Sequence, residues 1–220
     1  AQHRDRRVGA HRADRLGPGG GHRADDQLEL LVGVAEHLLA AGCRRLGLAS
    51  SGVGTHSISE RERGFREAAT AAGIDWAEER FGSTGYRTGC DLGMALLSRS
   101  DRPDGIFCTT DLLACGVMDT ARWRLGIRVP DQLSLIGFDD IAQADWDSYG
   151  LTTFSQPVDE MAAKSVAWLS AIADGGGDSG DSGDEGQGPA MAEVFFTPRL
   201  VMRKSVAQGF VPDPAPPSVA

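Results

Sequence analysis

The run Pro130-Asp131-Gln132-Leu133-Ser134-Leu135-Ile136-Gly137-Phe138-Asp139-Asp140 is the feature that most constrains this chain. Leu133 to Ile136 is short and apolar, so it reads as a buried strand, and the paired carboxylates then stand where that strand leaves its sheet. Ligands of open α/β sheets bind outside the carboxyl ends of the strands. Two Asp side chains at such a point suit hydroxyls, ammonium groups or a metal.

Other segments bring polar residues to the same kind of position. Arg102 to Asp111 reads as a strand ending in Thr109-Thr110-Asp111, followed by a helical run from Leu112 to Leu125. Leu151 to Val158 reads as a third strand, with Gln156 at its tip and Pro157 suited to a first helical position. Thr110 with Asp111, Asp139 with Asp140, and Gln156 are therefore expected on one rim, as a polar binding site.

Upstream, helices and strands alternate regularly. Glu29 to Ala41 reads as a helix stopped by Gly42, Leu46 to Ala49 as a strand, and Ser59 to Ala72 as a helix capped by Ser57 or Ser59. A strand near Arg80 to Gly82 and a helix from Tyr86 to Leu97 follow. This spacing predicts an α/β fold, a parallel sheet flanked by helices and joined by right-handed crossovers. The helix from Pro157 carries Val158, Met161, Ala162, Ser165, Leu169 and Ile172 on one stripe, which is expected to cover an apolar surface.

With 220 residues the chain can bury a sizeable core. No apolar run approaches the roughly 18 residues of a membrane span, and the N-terminus lacks the apolar core of a signal peptide, so a cytoplasmic location is expected. The cysteines, Cys43, Cys90, Cys108 and Cys115, lack close metal-ligand spacing and read as reduced core thiols.

The net charge of −9 conceals an asymmetry, because residues 1–24 carry six Arg and two Asp. The acidic remainder is a poor surface for a phosphate backbone. Residues 1–28 are basic, almost free of aliphatic side chains and without a helical period, and read as a loose or remnant segment. The Gly/Asp/Ser stretch within 174–190 repeats Asp at every third position, unlike the every-second-residue ligands of an EF-hand loop, and reads as a flexible insertion. The Pro- and Ala-rich tail, 208–220, is expected to be loose as well. No metal or cofactor is expected.

Six ordered pieces of this sequence resemble the lactose-repressor and galactose-repressor (LacI/GalR) family of transcriptional regulators. They are Glu36-His37-Leu38-Leu39-Ala40-Ala41-Gly42-Cys43-Arg44-Arg45, Arg61-Glu62-Arg63-Gly64-Phe65, Asp111 to Gly116, Gly126-Ile127-Arg128-Val129-Pro130 running into Gly137-Phe138-Asp139-Asp140, Leu151 to Pro157, and Arg199-Leu200-Val201-Met202-Arg203-Lys204-Ser205. The resemblance runs from about residue 30 to 207. It implies a type I periplasmic-binding-protein-like fold with one lobe nearly complete and the other fragmentary. On that pattern residues 29–156 form the C-terminal lobe, 157–198 a crossover helix and strand of the N-terminal lobe, and 199–207 the return. It further implies a small sugar-like effector, a homodimer, and DNA contact only through a helix-turn-helix headpiece that this chain does not carry. Effector binding by these residues alone is then expected to be weak.

The resemblance also implies site roles. Arg61 looks like the arginine that donates to sugar hydroxyls, and Asp139 like the carboxylate that accepts from a pair of them. Thr110 stands where an Asn is common. Gln156 and Val158 look like rim residues, and Thr84 or Tyr86 stands in for an aromatic stacking residue. Read as plain helix and loop chemistry, Arg63 is a solvated helix residue, Asp111 a cap or brace for the following helix, and Asp140 a structural group.

Two other functions deserve weighing. A glycosidase would use Asp139 with Asp140 or Asp111 as its carboxylate pair, but adjacent residues on a chain rarely face one substrate. The chain also lacks a Gly-x-Ser-x-Gly elbow, a His-Glu-x-x-His pair and a phosphate loop, and His37 has no paired ligand. A stand-alone sugar receptor for transport needs export and two intact lobes.

Overall fold

A computed structural model describes residues 33–175, 194 and 196–207. A helix over residues 33–40 (α1) leads into β1 (Leu46–Ser50), α2 (His56–Ala71), β2 (Trp76–Arg80), α3 (Tyr86–Leu97), β3 (Gly105–Cys108) and α4 (Asp111–Asp119). After these come β4 (Ser134–Ile136), β5 (Thr153–Ser155), α5 (Val158–Gly175) and β6 (Arg199–Val201). The basic opening, the Gly/Asp/Ser stretch from residue 176 and the tail lie outside the described residues.

Strands β1 to β4 form a parallel sheet in the order β2-β1-β3-β4. Alternation along the strands divides the core between its two faces. Leu46, Leu48 and Phe107 pack with Leu38 of α1 and Phe65 of α2, whereas Ala49, Ile106 and Cys108 pack with Leu92, Leu96, Leu113 and Val117 of α3 and α4. Phe65 is fully buried, stacked on Phe107 at 6.0 Å and edge-on to Trp76 at 6.2 Å. All four cysteines are free and buried, and burial pushes the thiols of Cys43 and Cys115 up to about 12, which suits inert core groups. Among the described residues no helix is long and apolar enough to cross a membrane.

Several boundaries differ from the sequence expectation. Helix α2 begins at His56, because Thr55, and neither Ser57 nor Ser59, accepts a bond from the amide of Ile58. Strand β2 lies at Trp76–Arg80, ahead of Arg80 to Gly82, because an edge strand is only half buried and lacks an apolar run. The strand expected across Arg102 to Asp111 contracts to four residues. The helix expected from Leu112 to Leu125 starts at Asp111 and turns π-helical over Thr120–Arg124. Strand β5 is shorter than expected and pairs antiparallel with β6, meeting the end of β4 only through parallel bridges, Ile136 with Thr152 and Asp139 with Ser155. The stripe on α5 finds little cover among the described residues: Val158, Leu169 and Ile172 are at least 40% exposed, Ala162 and Ser165 are exposed, and Met161 alone of the six is partly buried.

Helices α3 and α4 approach so closely that a side chain on Gly116 would meet the backbone of Tyr86 and Cys90, and one on Gly89 the backbone of Leu113. Gly116→Ala is therefore expected to cost about 3 kcal/mol, the upper part of the usual overpacking range. Gly33 has open space around its Cβ position and stands in a helix, so Gly33→Ala is expected to add up to about 1 kcal/mol. Urea unfolding of the two variants reads both signs; a neutral Gly116→Ala would refute the close helix contact.

Candidate functional site

The peptide after β4 turns through two consecutive residues of positive φ, Asp139 at 124° and Asp140 at 57°. Such conformations cost about 1–3 kcal/mol each in a non-glycine residue, so surrounding structure has to hold them. Asp111, fully buried in the first turn of α4, supplies much of that hold. Its Oδ1 accepts from the Thr153 hydroxyl at 2.5 Å and its Oδ2 from the amide of Ile141 at 3.0 Å, while its own amide donates to Phe138 O at 2.8 Å. Gly137 is obligatory beside it, since a Cβ there would collide with the Asp111 carboxylate. The amide of Asp139 donates to Phe154 O at 2.9 Å, and Asp140 pairs with Arg203 at 2.8 Å. Asp140 is thus structural, as expected. Asp111 braces the neighbouring loop and does not cap its own helix.

This corner presents the Asp139 carboxylate to Arg61 of α2, with Nη2 to Oδ1 at 3.2 Å. Arg61 is 8% exposed, donates from Nη1 to Thr109 O at 2.7 Å, and lies 3.7 Å above the Phe138 ring. Gln156 donates to the same Asp139 oxygen at 2.9 Å. Burial lowers the Arg61 pKa against the pull of Asp139, and burial raises that of Asp139 against the pull of Arg61. For both partners desolvation outweighs attraction, so the pair contributes less to stability than its distance suggests. Held polar groups of that kind suit a partner able to bond both.

The structure brings Arg61, Asp139 and Gln156 together and sets the remaining expected residues around them with different roles. Thr110 occupies the position before α4, yet its buried hydroxyl neither caps the helix nor bonds anything among the described residues. Val158 is exposed and, with Gln156, Asp159 and Arg199, lines a cavity of about 460 Å³ between β5, the start of α5 and β6. Tyr86 belongs to a separate cluster: its hydroxyl donates to Asp119 Oδ2 at 2.8 Å, and Tyr149 donates to the same oxygen at 3.0 Å. Thr84 lies half-buried in the loop before α3. Arg63 bonds Glu60 and Glu67 on the solvent side of α2. His37 contacts the carbonyl of Gly33 one turn away.

Two participants escaped the sequence reading. Phe138 forms the surface under Arg61, although an aromatic between Gly and Asp reads as core. Glu62, buried beside Arg61, accepts from Ser50, Arg66 and Arg80 and so ties α2 to β1 and β2. An Arg-Glu-Arg triplet on a helix gives no sign of which member turns inward.

Burial raises the Asp111 carboxyl to about 6 against the lowering effect of its hydrogen bonds. Because the folded pKa lies above the unfolded value, stability from this group is full below about 4 and declines as pH rises through 6. Asp111→Asn turns one acceptor into a donor beside Thr153 or Ile141, at an expected cost of about 1–3 kcal/mol. That deficit should be larger at pH 4 than at pH 7 in denaturant titrations; a deficit that grows with pH would contradict the buried-carboxylate account.

Comparison with known proteins accords with the geometry. Residues 35–206 match the periplasmic binding protein-like domain. The chain is 32% identical over 176 residues to the HTH-type transcriptional regulator DegA of Bacillus subtilis (strain 168), covering 79% of this chain and 48% of that protein. It is 31% identical over 178 residues to the HTH-type transcriptional repressor PurR of Yersinia pestis bv. Antiqua (strain Antiqua), covering 80% and 49%. The chain thus spans about half the length of these relatives. A LacI-family transcriptional regulatory protein from Corynebacterium glutamicum shares the fold with a TM-score of 0.67 at 25% identity, over 83% of this chain and 65% of that one. The periplasmic-binding-protein-like domain, the two regulators and the shared fold together place this chain in the LacI/GalR family of transcriptional regulators.

Proposed function

We propose that this chain is the effector-binding and dimer-forming module of a sugar-responsive transcriptional repressor. The observation that carries the reading is the Arg61–Asp139 pair, a buried guanidinium against a partly buried carboxylate at the carboxyl ends of parallel strands, extended by Gln156. A guanidinium beside a carboxylate offers donors and acceptors at the spacing of neighbouring hydroxyls on a sugar ring. Phe138 beneath the guanidinium backs the pair with an apolar surface. Each charged hydrogen bond of this kind is worth roughly 1.5–3 kcal/mol.

Occupancy between two lobes would favour one lobe arrangement over another, and hinge strands such as β5 and β6 would carry that bias toward DNA-reading units held by a homodimer. The relatives' regulator names support the DNA-level role. A glycosidase finds less support: Asp140 is committed to Arg203, and Asp111 to Thr153 and Ile141, so neither is free to serve as the second carboxylate beside Asp139. A transport receptor would share the fold, and the similarity to regulators favours the repressor.

These residues, which span about half the length of the relatives they match, should bind neutral mono- and disaccharides only at millimolar strength. Saturation-transfer NMR with D-ribose, D-galactose and sucrose is expected to give signals that Asp139→Asn and Arg61→Met each reduce by roughly tenfold or more. Signals unaffected by both variants, or stronger signals from a flat nucleobase than from any sugar, would refute the sugar reading.

A further inference from the structure

Buried polar side chains in folded proteins are nearly always hydrogen-bonded. Among the described residues, Ser51 Oγ and Thr110 Oγ1 are buried without a partner. Ser51 is 0% exposed and Thr110 9%. Both oxygens lie near the site already described, just past the ends of adjacent strands.

The register brings them together. Strands β1 and β3 run in parallel with Ala49 opposite Cys108. One step on, Thr109 N donates to Ala49 O at 3.0 Å, and the Ser50 and Thr109 hydroxyls meet at 3.2 Å on the α2 side of the sheet. The next step places Ser51 level with Thr110, and strand alternation turns both toward the α3 and α4 side. In the order β2-β1-β3-β4 the chain reverses its winding between β1 and β3, the place where open α/β sheets form their ligand crevice.

We infer that Ser51 and Thr110 form a second, uncharged subsite that bonds one neutral hydroxyl of the effector, beside the charged Arg61–Asp139 pair. The inference rests on the effector-binding reading above and adds Ser51 as a specificity-determining residue. Among the described residues the nearby charges are already engaged, Arg61 by Asp139, Arg80 by Glu62 and Asp111 by Thr153 and Ile141, which favours a neutral group over a phosphate or carboxylate. A hydroxyl both donates and accepts, which matches two side-chain hydroxyls. Ser51 is covered in the free protein, and the segment that follows it, Gly52 to Thr55, is exposed, with glycine at two of its four positions.

Unmet hydroxyls weaken the empty protein and strengthen the complex, so removing one should move stability and binding in opposite directions. Thermal unfolding and saturation-transfer NMR with D-ribose, D-galactose and sucrose, on the 220-residue chain, test this. Ser51→Ala and Thr110→Val are each expected to raise Tm by about 2–4 °C and to weaken saccharide binding by roughly tenfold. Ser50→Ala is the control of opposite sign: its hydroxyl donates to Glu62 at 2.5 Å, and its loss should lower Tm. A Tm that falls in Ser51→Ala as in Ser50→Ala would show that the hydroxyl has a partner in the free protein and would overturn the subsite. Wild-type binding that persists undiminished in Ser51→Ala overturns the subsite alone, whereas a wild type that binds none of the sugars overturns the effector reading and this inference with it.

Discussion

A buried carboxylate holding a strained corner is the constraint on which the site depends. Without Asp111, the left-handed residues Asp139 and Asp140 would have little reason to stay where they are. Two such residues cost about 2–6 kcal/mol together, while charge-assisted bonds contribute roughly 1.5–3 kcal/mol each. The bonds from Thr153 and Ile141 to Asp111, from Arg203 to Asp140 and from Gln156 to Asp139 suffice to offset that cost. The corner's shape then fixes where Asp139 points. Gly137 follows from the same constraint, since no larger residue fits beside the Asp111 carboxylate.

Much of the architecture was legible because it rests on local patterns. The helix Tyr86–Leu97 falls where its spacing predicts, β1 differs by one residue, and Gly42 closes α1 with a φ of 93°. The errors fall where partners distant in sequence decide. Strand β2 is an edge of the sheet and carries Glu78, Glu79 and Arg80, which look like loop until Arg66 and Glu62 are placed beside them. Strand β5 changes partner from the parallel sheet to β6 because Arg199–Val201 returns from far along the chain.

The site was legible in part for the same reason. Gly-Phe-Asp-Asp at the end of an apolar run marks a strand tip, and Arg61 could be singled out only through the family pattern it matches. Tyr86 shows the limit: an aromatic at a helix start looks available for stacking, yet Asp119 and Tyr149 hold its hydroxyl elsewhere. Ser51 carries no signal at all in sequence. Its interest lies in lacking a partner, which only a fold can reveal.

A double-mutant cycle on folding free energy, with Arg61→Met, Asp139→Asn and the pair together, bears most directly on whether the corner and the helix form one unit. Coupling of at least about 1 kcal/mol is predicted, since either change alone strands a partly buried charge. Additivity within roughly 0.5 kcal/mol would mean that the two groups act independently, and the account of the site would fail.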